Sequence, residues 1–308
     1  MISLSGFLND GSREVPRLQV YLNLDTLVEL PADSIWPHLD GPARYRPLAA
    51  DGFDGVQLTD DSAAPTDARL QYCGLDRVNT PAEADGVAAR HAARGDLCIT
   101  IHAGWGMEDE SEVFRLVEAI LTASSRHSLP IFIETHRATI TQDVWRTVQI
   151  AKRFPEIRFN ADFSHYYCGQ ELVYGDWNEK LAFMEPIFER IGFIHGRIAS
   201  PGCMQVPIDV KPSVRPQQAH GVINYLDHFK ELWIRVMRGF LRTATLGDVL
   251  VFAPELLSSR YYYARMFPNA VGKLVEECDR YAQSLLLKDL ARDCFLEART
   301  PELRRATK

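Results

Sequence analysis

A carboxylate and an imidazole close the apolar run Pro130-Ile-Phe-Ile-Glu-Thr-His136. Residues two apart on a strand point to the same face, so Glu134 and His136 project together. Three later apolar runs end in the same manner, on Asp162, His195 and Glu255. Two glutamates, an aspartate and one histidine form a donor set for a divalent ion. Oxygen ligands with a single imidazole favour Mn²⁺, with Mg²⁺, Co²⁺ or Zn²⁺ as alternatives. Without a cation, three carboxylates crowded together repel one another and their pKa values rise.

The elements that must position these residues are eight short apolar runs, at 18–24, 52–58, 70–75, 97–103, 130–136, 157–163, 192–198 and 249–255. Helical patterns separate most of them. Pro81 opens one helix and Gly95 ends it; another runs from Glu110 to Ser125 with an apolar stripe; Thr141 is the expected cap of the next. Further helices are expected at 178–190, 222–242 and 272–298. Strands alternating with helices imply parallel pairing through right-handed crossovers, and eight units without interruption favour a closed (β/α)8 TIM barrel. A C-terminal helical extension and a long Pro-rich insertion at 199–221, between the seventh and eighth strands, complete it. A doubly wound open sheet is the competitor, but no strand-to-helix G-x-G-x-x-G supports it. We read residues 1–308 as one domain.

Alternation then sorts the side chains. Phe132, Glu134 and His136 share one face, as do Arg158, Asn160 and Asp162; Phe193, His195 and Arg197; and Val251, Ala253 and Glu255. The opposite faces carry Ile131, Ile133, Phe159, Phe163, Ile194, Leu250 and Phe252, which suit contact with outer helices. Polar groups therefore converge from four consecutive strands at the C-terminal end of the barrel, where barrel enzymes place their chemistry.

The 308 residues are 46% hydrophobic and 24% charged, ordinary for a globular protein with a large core. A formal charge of -7 argues against nucleic acid or an anionic membrane as partner. No run reaches the roughly 18 apolar residues of a membrane helix, and the N-terminus lacks the signature of a signal peptide. The six cysteines form no C-x-x-C pair and read as reduced thiols of a cytoplasmic protein.

The motifs I-E-T-H at 133–136, D-F-S-H at 162–165, I-H-G-R at 194–197 and P-E-L at 254–256 resemble those of the xylose-isomerase-like TIM-barrel superfamily, the sugar isomerases and epimerases. The resemblance covers nearly the whole chain. It implies one divalent metal ion on Glu134, Asp162, His195 and Glu255, as in ketose 3-epimerases, with His165 touching substrate. It further implies a metal-stabilised enediolate, with Glu134 and Glu255 as the acid/base pair. Arg197 either neutralises an oxyanion or pairs with a ligand carboxylate. His102 and His165 hold hydroxyls, and His136 either contacts substrate or orients Glu134. The Tyr261–Tyr263 run either stacks on substrate or packs on the rim. Two departures bear on specificity: Ile140 stands where ketose epimerases often carry a second glutamate, and the arginine lies closer to the metal histidine.

The expected function is thus a metal-dependent isomerase or epimerase of a carbohydrate, with a possible homo-oligomer. A lyase acting on a keto-sugar or keto-glycoside is the alternative on the same barrel. An endonuclease IV-like role needs more histidine ligands and a basic face. A non-catalytic barrel leaves the donor set without purpose.

Overall fold

Alternation decides which side chains fill the barrel and which face the helices around it. The computed structural model describes residues 6–59, 64–65, 69–208 and 225–300. A two-residue strand, β1 (Leu8–Asn9), lies ahead of eight barrel strands: β2 (Arg17–Asn23), β3 (Gly55–Leu58), β4 (Gln71–Val78), β5 (Ile99–Ala103), β6 (Ile131–Glu134), β7 (Phe159–Ala161), β8 (Ile191–Gly196) and β9 (Asp248–Pro254). These pair in parallel in chain order, and β9 returns to β2 with Leu250 opposite Leu18, so the sheet closes. β1 adds an antiparallel pairing on β9.

Inside the ring, Tyr21, Cys73, Cys98, Phe132, Phe193, Val251 and Ala253 pack as one buried cluster. Ile133, Phe159, Ile194, Leu250 and Phe252 belong to the larger cluster between strands and helices. The predicted division of faces therefore holds. The helices are α1 (Tyr45–Ala50), α2 (Ala84–Arg94), α3 (Glu110–His127), α4 (Val144–Arg153), α5 (Phe163–Gly169), α6 (Trp177–Phe188), α7 (Tyr225–Thr243) and α8 (Arg280–Arg299). Helix α8 packs on α7, β9 and β2, so the C-terminal helix completes the outer ring across the closing seam. Among the described residues no helix joins β3 to β4.

Two expectations change. Asp143, not Thr141, caps α4, its side chain accepting from Arg146 N–H. Thr141 instead donates its hydroxyl to the Glu134 carbonyl and accepts the His136 N–H, bracing the turn after β6. The expected helix at 272–298 begins only at Arg280; ahead of it β10 (Met266–Pro268) and β11 (Leu274–Glu276) form an antiparallel hairpin around Gly272, whose φ is +77°. Ahead of the barrel, Phe7 is fully buried against Phe240. Of the 199–221 insertion, Pro212, Pro216 and His220 lie outside the described residues, as does the expected helix start at Val222.

Gly196 sits between two inward-facing residues, His195 and Arg197, and so presents its own missing side chain outward. A Cβ there would overlap the Phe252 ring on the adjacent strand. Gly196→Ala is expected to lower unfolding stability by about 2 kcal/mol through overpacking, measured by urea denaturation.

Candidate metal centre

Three carboxylates from different strands meet where β6, β7, β8 and β9 end. Glu134 is the last residue of β6, Asp162 follows β7, His195 lies in β8, and Glu255 follows β9. All four are buried, and one donor atom from each lies within 4.8 Å of all the others.

Neutral amides set the orientation of this group. The Asp25 backbone N–H donates to Asn23 Oδ1 at 2.9 Å, which leaves the Asn23 amide nitrogen as a donor. That nitrogen donates to Glu255 Oε1 at 3.1 Å and to Gln57 Oε1 at 2.8 Å. Gln57 Oε1, thereby fixed as an acceptor, takes the Nε2–H of His195 at 2.8 Å, and Gln57 Nε2 donates to Thr100. His195 is held by its Nε2 proton, so Nδ1 is its ligand atom, facing Glu134 Oε2 at 3.2 Å and Glu255 Oε2 at 3.5 Å. Asn160 Nδ2 donates to Glu134 Oε2 at 3.1 Å.

Asp162 has two further tasks. Its Oδ1 accepts the Ser164 N–H at 3.0 Å and so caps α5, the helix that carries His165. Its Oδ2 pairs with Arg197 Nη2, which also donates to Glu255 Oε2 at 3.0 Å. Arg197 Nε donates to the Ser164 hydroxyl at 3.1 Å, and the Tyr263 ring lies 4.7 Å from the guanidinium. Of the tyrosine run, Tyr263 roofs the centre while Tyr262 is 94% exposed.

The expected substrate-binding histidines line one side. His102 Nε2 stands 3.3 Å from Glu134 Oε1, and His165 Nε2 stands 3.9 Å from the same oxygen. The His136 ring lies between them, with centroids 4.5 Å from His102 and 3.8 Å from His165. His91 is a buried partner of Asp76 and Asp96, and His228 stacks on Trp177.

Charge and burial divide these groups. Burial raises the pKa of Glu134, yet the facing His102 and His195 outweigh it and hold this carboxyl well below the usual range. Burial raises Glu255, and the opposing pull of His195 and Arg197 does not cancel it. For His195, burial opposes charging, but Glu255 and Glu134 push its pKa up to about 9. Burial together with the neighbouring His165 brings His136 down to about 2, and burial with Arg197 brings His165 well below its usual value.

The residues fit a divalent cation. Three buried carboxylates face the fixed charge of Arg197, the donors converge, and carboxylate oxygen with one imidazole is the chemistry such an ion takes. Neither ring nitrogen of His165, nor Nη1 of Arg197, nor Oδ1 of Asn160 has a hydrogen-bond partner among the described residues, although all are buried. Four such atoms gathered around one donor group are positioned to bond a ligand. The sequence reading had no place for Asn23 and Gln57, and placed Asn160 inward without giving it a role.

No protein-family model and no curated protein sequence matches the chain. Among solved structures it is similar to an L-ribulose 3-epimerase, with 13% identity over 92% of this chain and 96% of that one, at a TM-score of 0.52. The likeness is one of fold. At that level the closed (β/α)8 barrel expected from the sequence stands. The chain also aligns with the probable 3-DHS dehydratase AsbF from Bacillus anthracis (14% identity, 77% of this chain and 92% of that one, TM-score 0.49). A xylose isomerase domain protein from Planctomyces limnophilus aligns as well (12% identity, 94% and 98%, TM-score 0.44). No described helix is long and apolar enough to cross a membrane.

Because His195 carries an Nδ1 proton below about pH 9, a cation must displace it. Mn²⁺ affinity, measured by calorimetry without air, is expected to rise about tenfold per pH unit as the pH climbs toward 9 and to level off above it. A flat profile would contradict His195 as a ligand.

Proposed function

We propose that the protein is a divalent-metal-dependent isomerase or epimerase of a sugar or sugar derivative. One observation carries this reading: four buried donors, from the ends of four consecutive barrel strands, lie within 4.8 Å of one another. The shared fold with an L-ribulose 3-epimerase supports a carbohydrate as the substrate class.

Glu134, Asp162, His195 and Glu255 would hold the cation, Mn²⁺ by their oxygen-rich character. Bound there, it supplies Lewis-acid polarisation of a carbonyl and an adjacent hydroxyl, which acidifies the hydrogen on the neighbouring carbon. The protein's own groups then divide the proton work. Glu134, kept ionised by His102 and His195, accepts the carbon-bound proton. Glu255, whose pKa burial raises, delivers a proton to the opposite face. The two stand on β6 and β9, which are not neighbours in the ring, so they approach the substrate from different sides. His165 offers its unpartnered ring nitrogens to substrate hydroxyls, and Arg197 Nη1 offers N–H groups to developing oxyanion charge. Tyr263, packed over Arg197, keeps water from that side.

Manganese-loaded protein incubated with ketoses in D₂O is expected to place deuterium beside the carbonyl without loss of a leaving group. Glu134→Gln and Glu255→Gln are each expected to lower turnover by about 10²–10⁴. An unsaturated or aglycone product would move the reading to a lyase acting on a keto-sugar or keto-glycoside, and a protein that binds no cation would overturn it.

A further inference from the structure

A second hollow, of about 420 Å³, lies at the end of the barrel away from the metal centre, where β2, β3 and β4 begin. Gln19 lies near the start of β2, Asp54 immediately precedes β3, and Gln71 is the first residue of β4. Arg69 and Arg292, the latter from α8, bring two guanidiniums to its wall. Phe53, itself buried, supplies an apolar surface between them.

The polar groups of this hollow are held in place and keep hydrogen-bonding capacity. The hydroxyl of Tyr21, buried inside the barrel, donates to Gln71 Oε1 at 2.7 Å and reaches Gln19 Oε1 at 3.1 Å. Both amide oxygens therefore face the phenol, and neither Nε2 has a partner among the described residues. Arg292 Nη2 donates to the Gly52 carbonyl at 2.6 Å and stands 3.7 Å from Asp54 Oδ2. That Oδ2 also accepts the Val20 N–H at 2.8 Å, so Oδ1 of Asp54 is an acceptor with no partner among the described residues. Two cations stand against one carboxylate, and the donors outnumber the acceptors.

We infer that this hollow binds a small hydroxylated oxyanion, a sugar phosphate or a sugar acid. Arg69 and Arg292 take the oxyanion through charge-assisted hydrogen bonds. The two glutamine amides and Asp54 Oδ1 take the hydroxyls, and the volume suits a molecule of that size. The ligand is not a substrate, because barrel chemistry belongs to the opposite end. Gln19 and Asn23, the residue that orients Glu255, are four apart on β2, or about 13 Å. The ligand and the metal centre thus share one strand without touching. This site stands independently of the reaction proposed above.

Binding to the full chain is measured by calorimetry with ribose 5-phosphate, gluconate and neutral ribose. At least one of the two anions is expected to bind ten times more tightly than ribose, and the tighter of them names the oxyanion. Arg292→Gln and Arg69→Gln are each expected to weaken that binding about tenfold. Arg69 is exposed ahead of β4, so its variant tests the site without disturbing helix packing. Glu255→Gln, at the other end, is expected to leave the affinity unchanged. Equal affinity for ribose and both anions would overturn the inference, as would no binding or affinity unchanged in both arginine variants. Binding lost in Glu255→Gln and kept in the arginine variants would place the anion at the metal centre, overturning this site while leaving the proposed function intact.

Discussion

Three carboxylates buried within one small space set the terms for everything around them. Moving even one ionised carboxylate out of water costs several kcal/mol, and like charges add to that cost. The chain answers with a single buried guanidinium, Arg197, shared between Asp162 and Glu255. The remaining lone pairs are met by neutral donors: Asn23 at Glu255, Asn160 at Glu134, and the Ser164 backbone at Asp162. Neutral donors orient a carboxylate without cancelling its charge. A cavity stabilised this way keeps a negative field at its centre, and that field is what attracts a cation.

The same amides carry information across the barrel. A backbone N–H at Asp25 fixes which end of the Asn23 amide points inward, Asn23 fixes Gln57, and Gln57 fixes the tautomer of His195. Each step follows from donor and acceptor counting alone. The histidine that faces Glu134 and Glu255 therefore turns Nδ1, the nitrogen a cation would take, toward them because of a turn on the other side of the ring.

Much of this was legible in the sequence because period-two alternation is strict. Glu134, Asp162, His195 and Glu255 fall at the ends of apolar runs, and their inward neighbours Phe132, Phe193, Val251 and Ala253 pack together inside the barrel. What alternation cannot reveal is pairing between strands far apart in the chain. Asn23 and Gln57 look like ordinary polar strand residues until closure brings β2 and β3 against β8 and β9. Thr141 looked like a cap because it precedes the helical pattern, but the helix starts three residues later at Val144, capped by Asp143, and the threonine is used by the turn. Val271, Leu274 and Val275 have helical spacing, yet the Asn269–Gly272 turn with its left-handed glycine folds them into a hairpin. Local turn chemistry overrode periodicity there.

The closing seam between β9 and β2 has a consequence for how the centre comes into being. Asn23 and Glu255 are 232 residues apart, and Gln57 and His195 are 138 apart. Contacts of such separation form late, since the entropy of closing the long loops must be spent before they contribute. A chain still lacking its last strand holds acids and imidazoles with no fixed orientation. Orientation of the centre therefore depends on completion of the ring.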